Sequence, residues 1–126
     1  MVYFISGHRW LTQEQFDTYY VPAINKVLIS DLDPLFVIGD YQGVDAMAQK
    51  YLYEHISANR ITVYHMFEKP RNLYNEEIPT KGGYESDEER DAAMTNESDF
   101  DIAFVFTDKW SGTQTNINRR HNKWTK

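Results

Sequence analysis

Cysteine is absent from the chain, which excludes disulfides, thiolate metal centres and a cysteine nucleophile and fits an intracellular setting. Proline and glycine are sparse, four and six in 126 residues, so collagen-like and low-complexity architectures are excluded as well. No repeat or interdomain linker interrupts the pattern. Apolar runs are short, none approaching the roughly 20 residues that span a bilayer, and the first residues enter a strand pattern without a charged or apolar leader. The expectation is a soluble, cytoplasmic, untargeted protein with no membrane contact. Basic residues are outnumbered, 13 Lys and Arg against 19 Asp and Glu for a net charge of -6. That balance argues against bulk binding to nucleic acid, a mode that depends on many phosphate contacts. A local basic pocket is still open to such a chain.

What the sequence does have is material for one core. Hydrophobic residues make up 41% and aromatic residues 15%, with nine Tyr and three Trp, enough apolar area to offset the ordering entropy of a single domain covering 1–126.

Val2 to Ile5, stopped by Ser6 and Gly7, is a short apolar run of the kind buried in parallel sheets. Thr12 and Gln15 form a capping box, after which Phe16, Tyr19, Tyr20, Ala23, Ile24, Val27 and Leu28 recur at helical spacing. A helix over Gln13 to Ile29 follows, with Pro22 kinking it or shifting its start. Leu35 to Ile38, closed by Gly39 and Asp40, is a second strand. Gly43 opens a second helix through Val44, Met47, Ala48, Tyr51, Leu52 and Ile56, with Asn59 as its stop. Ile61 to His65 is a third strand. The stretch from Met66 to Tyr84, with Pro70, Pro79, Gly82 and Gly83, reads as a long polar loop, and loops of that length are usually functional or disordered. Ser86 and Glu89 form a capping box ahead of Ala92, Ala93 and Met94. Ile102 to Phe106 is the fourth strand, and Ser111 with Gln114 caps a last helix that ends near the basic tail 119–126.

Strands separated by helices call for a parallel sheet covered on both faces. The expected fold is a Rossmann-like three-layer α/β/α domain with a mainly parallel four-stranded sheet in the order 3-2-1-4. In such sheets ligands sit beyond the carboxyl ends of the strands, where strand order reverses. Three loops then converge: Ser6, Gly7, His8, Arg9 and Trp10; Gly39 to Gly43; and Thr107 to Thr113. Glycines at 7, 39, 43 and 112 let backbone approach a ligand, and helix starts near Gly43 and Gly112 direct free amides and positive dipole ends toward an anion such as phosphate. Singly, each glycine is equally a tight-turn residue; their convergence carries the signal.

Gly39-Asp40-Tyr41-Gln42-Gly43-Val44-Asp45 with Ala48, then Glu89-Arg90-Asp91-Ala92-Ala93-Met94, Ser98-Asp99 and Ser111-Gly112-Thr113, resemble in order the SLOG superfamily. That superfamily includes the LOG phosphoribohydrolases, the DNA-processing protein DprA and the YspA- and YpsA-related proteins, and the chain is most similar to the last group. The resemblance implies a nucleotide-type ligand and a homodimer. In the phosphoribohydrolases an Arg-Lys-x-x-Met helix precedes a Gly-Gly-x-Gly-Thr-x-x-Glu loop, and the Arg and Glu serve N-glycosidic cleavage. Arg90 and Met94 match the first motif, with Asp91 at the Lys position. Gly112 and Thr113 match the second, but Asn116 stands where the Glu is, and Trp110-Ser111 replaces the glycine pair. An amide can bond a ribose hydroxyl but cannot act as a carboxylate nucleophile.

The ligand-binding candidates are therefore Gly7, His8, Arg9, Gly39, Asp40, Gly43, Asp45, Arg90, Ser111, Gly112, Thr113 and Asn116. Arg90 reads either as a bidentate phosphate contact or as one half of an ion pair. Asp40 and Asp45 read as ribose or acid–base groups, or as caps and turn residues. Trp10 and Trp110 could stack on a base or cover the sheet end. Arg90, Asp45 and Glu85 are the candidate catalytic groups, Glu85 belonging to an acidic run that suits a helix first turn. The histidines at 8, 55, 65 and 121 lack metal-ligand spacing, so neither metal nor cofactor is expected. Three functions remain open at this point: binding of a nucleotide-derived ligand, N-glycosidic cleavage of nucleoside monophosphates with a substitute carboxylate, and an interaction protein without a pocket.

Overall fold

The computed structural model describes residues 1–107 and 111–124, Trp124 by its backbone alone. Five strands, all parallel, form one sheet: β1 (Val2–Ser6), β2 (Leu35–Gly39), β3 (Ile61–Met66), β4 (Thr80–Tyr84) and β5 (Phe100–Ala103), in the order β4-β3-β2-β1-β5. The helices are α1 (Gln13–Gln15), α2 (Val21–Ser30), α3 (Val44–His55), α4 (Asp87–Asn96) and α5 (Gly112–Trp124). The α/β class and the Rossmann-like layering are as expected, with one strand more than the sequence predicts.

Each face of the sheet has its own helices because side chains alternate along a strand. Ile5, Ile38, Val63 and Ile102 pack with Ile24 of α2 and Ala48 and Leu52 of α3 in the larger cluster. Phe4, Val37 and Tyr64 point the other way and pack on Met94 of α4. Burying one such side chain contributes about 1.5–3 kcal/mol, so the two clusters hold three layers together.

The extra strand lies inside the expected loop. Thr80-Lys81-Gly82-Gly83-Tyr84 pairs with β3 through Val63–Thr80 and Tyr64–Lys81, with a register shift before Met66–Tyr84. Its exposed residues and two glycines give no apolar pattern, yet its backbone is paired, and the His65 ring takes the place a Cβ on Gly82 would need. The last strand is also displaced from expectation, ending at Ala103 rather than at Phe106. The second helix stops at Ile56, before Asn59, which falls in a short 3₁₀ turn over Ala58–Arg60.

Pro22 produces a π turn instead of a kink alone. The Thr12–Gln15 capping box is present, then Phe16–Tyr20 is π-helical, and the Val21 amide bonds the Phe16 carbonyl. A proline has no N–H to continue the α ladder, and the wider turn sets Phe16 and Tyr20 stacked at 5.4 Å, both fully buried. At α4, Ser86 Oγ accepts the Glu89 amide, while the Glu89 carboxylate accepts the Glu85 amide, one residue earlier than a reciprocal capping box requires.

Candidate functional site

Strand order reverses between β1 and β5, and the chain ends of β1 and β2, with α4 and the start of α5, line a cavity of about 430 Å³. From the first loop come Ser6, Gly7, His8, Arg9 and Trp10; from the second, Gly39, Tyr41, Gln42 and Asp45; from α5, Ser111, Gly112, Thr113 and Asn116. Phe4, Met94, Asp87, Arg90 and Asp91 complete the wall. Residues of all three expected loops line it, the third through Ser111, Gly112 and Thr113. Of the candidate residues, Asp40, Gly43 and Glu85 lie outside the lining, and Trp110 lies outside the described residues.

The π turn helps to build the crevice. It carries Tyr20, whose hydroxyl donates to the Ser6 carbonyl at 2.8 Å and accepts the Phe104 amide at 3.1 Å. One side chain thus ties the ends of β1 and β5 at a fixed separation. Gly7 is bare because a Cβ there would meet that hydroxyl and Val44 Cγ2, the latter at 2.5 Å. Gly43 has a positive φ of 74°, and a Cβ would strike the Arg9 backbone at 2.5 Å. It supports the first loop from behind instead of facing a ligand.

His8 is buried, and its Nε2 accepts the Phe106 amide at 3.0 Å. An N–H donor at Nε2 makes that nitrogen the unprotonated one, so the neutral ring carries its proton on Nδ1. Burial pushes the imidazole pKa down, in keeping with this state. Trp10 lies parallel to the His8 ring, 4.4 Å away with 8° between planes, and is half exposed at the rim.

Arg90 does not offer a free guanidinium. Nη1 bonds Asp40 at 2.6 Å and pairs with Asp87 at 3.0 Å, while Nε and Nη2 bond Asp91 Oδ1 at 3.0 and 2.8 Å. The ion-pair reading of Arg90 is the one its geometry supports. Asp40 is fully buried and shared: Arg71 reaches it through its backbone amide at 2.7 Å, Nε at 3.2 Å and Nη2 at 2.9 Å. Burial opposes ionisation of Asp40, but the Arg71 hydrogen bonds and the charges of Arg71 and Arg90 outweigh it and hold the carboxyl below its usual range. Asp40 is a fastener beneath the site. Arg71 escapes sequence reasoning because it sits in an irregular segment 31 positions from its partner. It also bonds Asp87 at 2.5 Å and lies over the Tyr41 ring at 4.7 Å.

Two carboxylates differ in surroundings. Asp45, at the start of α3, is buried, and burial pushes its pKa up to about 7, against the opposing pull of Arg90 and the Tyr41 amide that Oδ2 accepts at 3.0 Å. Asp91 is paired with Arg90, and its Oδ2 accepts Asn116 Nδ2 at 3.1 Å. Asp45 and Arg90 close over the bare face of Gly39, where a Cβ would meet Asp45 Oδ2 at 2.6 Å and Arg90 Cζ at 2.9 Å. The first turn of α5 lines the same cavity. Ser111 Oγ caps the Gln114 amide at 3.2 Å, which leaves the Gly112 and Thr113 amides with no acceptor inside the helix. The exposed Arg9 adds a cation, its Nη1 on the Tyr41 hydroxyl at 3.1 Å.

Among the described residues no group of His, Asp and Glu is placed to hold a metal, and no helix is long and apolar enough to cross a membrane. No protein-family model, no curated protein and no solved structure matches this chain.

Proposed function

We propose that the cavity binds a small nucleotide-like molecule, its phosphate at the first turn of α5 near Arg9 and its sugar against Asp45 and Asp91. The observation that carries this reading is the mixed lining of one cavity. The first-turn residues Gly112 and Thr113 and the cation of Arg9 line the same cavity as the carboxyls of Asp45 and Asp91, which can bond hydroxyls. A volume of about 430 Å³ falls within the range of roughly 300–1,000 Å³ usual for small-molecule sites. The site also occupies the switch point where open α/β sheets take ligands, and the resemblance to the SLOG superfamily points to the same ligand class.

The test is calorimetry with the four nucleoside 5′-monophosphates, ADP-ribose and 3′,5′-cyclic AMP. At least one should give saturable binding, and its phosphate-free nucleoside should bind about tenfold more weakly or worse, the loss of about 1.4 kcal/mol. Absence of heat and of thermal shift across the panel overturns the proposal and leaves the fold as an interaction surface.

One contact favours a second reading, cleavage of the N-glycosidic bond of a nucleoside monophosphate. Asp91 is hydrogen-bonded to Asn116, so a carboxylate stands beside the position where the resemblance leads one to expect a glutamate. In that reaction water adds to C1′, the bond from C1′ to the base nitrogen breaks, and the base leaves with a proton, yielding ribose 5-phosphate. Asp91 would stabilise the developing positive charge on the sugar, and Asp45, with its pKa near neutrality, would exchange the proton. Chromatography of nucleotide incubations decides it: free base that disappears in Asp91→Asn supports hydrolysis, and intact nucleotide contradicts it.

A further inference from the structure

We infer that the inner end of the cavity reads a vicinal diol, so that the protein selects ribose over 2′-deoxyribose; this rests on the nucleotide reading above. The starting observation is Ser6. The residue lines the cavity and is 6% exposed, and its Oγ is buried with no hydrogen-bond partner among the described residues. A buried hydroxyl normally has a partner, because leaving one unpaired forfeits its hydration without a return. A protein that keeps such a group at a cavity wall has a donor and acceptor waiting for a bound molecule.

The second observation is what stands next to it. β1 and β2 are parallel with Ile5 opposite Ile38, so Ser6 continues that register opposite Gly39 and on the same face. Neighbouring strands lie about 4.8 Å apart. The site of the missing Gly39 Cβ is 2.6 Å from Asp45 Oδ2, which places the Asp45 carboxyl over the strand end next to that of Ser6. Asp45 Oδ2 is committed to the Tyr41 amide; Oδ1 has no hydrogen bond among the described residues. A hydroxyl and a carboxyl oxygen without partners among the described residues, both on residues lining this cavity, offer a donor and an acceptor to two hydroxyls on adjacent carbons. Sites built to bond a substrate hydroxyl reject the analogue lacking it by large factors, because the protein's own groups are then stranded.

The experiment compares each nucleoside 5′-monophosphate that binds with its 2′-deoxy and 3′-deoxy counterparts by calorimetry, in the wild type and in Ser6→Ala and Asp45→Asn. The expected result is at least about tenfold weaker binding of each deoxy form to the wild type, with the ratio falling toward one in Ser6→Ala. Ser6→Ala removes an unpaired hydroxyl, so its thermal midpoint should match or exceed that of the wild type, which separates loss of discrimination from loss of fold. Equal affinity of ribo and deoxy forms for the wild type overturns the diol inference while the nucleotide reading stands. Failure of every nucleotide to bind overturns both.

Discussion

Replacing Asp45 by Asn tests the electrostatics of the site without touching its shape. The carboxyl's pKa is pushed up from its ordinary 3.8 to about 7 in the folded protein, chiefly because burial penalises its charge. For an acid whose folded pKa is raised, the unfolded chain holds fewer protons between the two values, so stability is full below about pH 4 and falls as pH rises toward 7. At 1.36 kcal/mol per unit, the penalty is about 1–2 kcal/mol at pH 5 and about 4 kcal/mol at pH 8, on the order of 2–3 kcal/mol between them. Asparagine is isosteric, can still accept the Tyr41 amide, and does not titrate. Urea unfolding of the two proteins at both pH values gives the difference directly. Asp45→Asn should gain on the wild type by about 2–3 kcal/mol from pH 5 to pH 8. A gap that stays constant with pH, or an asparagine variant that loses ground at pH 8, refutes the buried, proton-bearing carboxyl.

Three other outcomes follow from contacts around the cavity. Asp40→Ala leaves Arg90 and Arg71 facing each other without their shared carboxylate and should cost about 3–5 kcal/mol in urea unfolding, whereas Arg71→Ala, with its side chain 36% exposed, should cost clearly less; equal costs contradict the buried fastener. Tyr20→Phe removes the hydroxyl that joins Ser6 and Phe104 and should destabilise by about 1–3 kcal/mol, and an unchanged unfolding midpoint would count against the clamp. Nitrogen NMR of His8 should report a neutral ring protonated at Nδ1 at pH 6.5, given Nε2 on the Phe106 amide and a lowered pKa; an Nε2–H signal or a charged ring at that pH excludes the assignment.

How far the sequence could be read depends on whether a residue's role is local. Val2–Ser6 and Leu35–Gly39 read plainly as strands because central parallel strands are buried on both faces and therefore apolar throughout. β4 was illegible for the opposite reason. It is an edge strand whose side chains are exposed, so its sequence answers to solvent while its backbone pairs. Pro22 was legible as an interruption, but not as a π turn, which depends on Tyr20 finding Ser6 and Phe104, the latter 84 positions away.

The candidate site divides along the same line. Glycines after strands and polar residues at helix starts have local signatures, and Gly7, Gly39, Ser111, Gly112 and Thr113 reach the cavity as expected. Charge partners have none. Nothing adjacent to Arg90 announces Asp40, 50 positions away, and nothing near Asp40 announces Arg71. Asp45 looks like an ordinary first-turn acid until Gly39 and Arg90 close over it. Asn116 departs from the resemblance in its own position, and only tertiary structure brings Asp91 to its side chain.

The most direct measurement is an amide NMR titration of the labelled protein with a nucleoside 5′-monophosphate. Saturable shifts should concentrate in three separate segments, 6–10, 39–45 and 111–116, with the Gly112 and Thr113 amides moving most in the phosphate-bearing ligand and least in the bare nucleoside. Shifts scattered over the surface, confined to one segment, or identical with and without phosphate would contradict a nucleotide site lined by the ends of β1 and β2 and the start of α5.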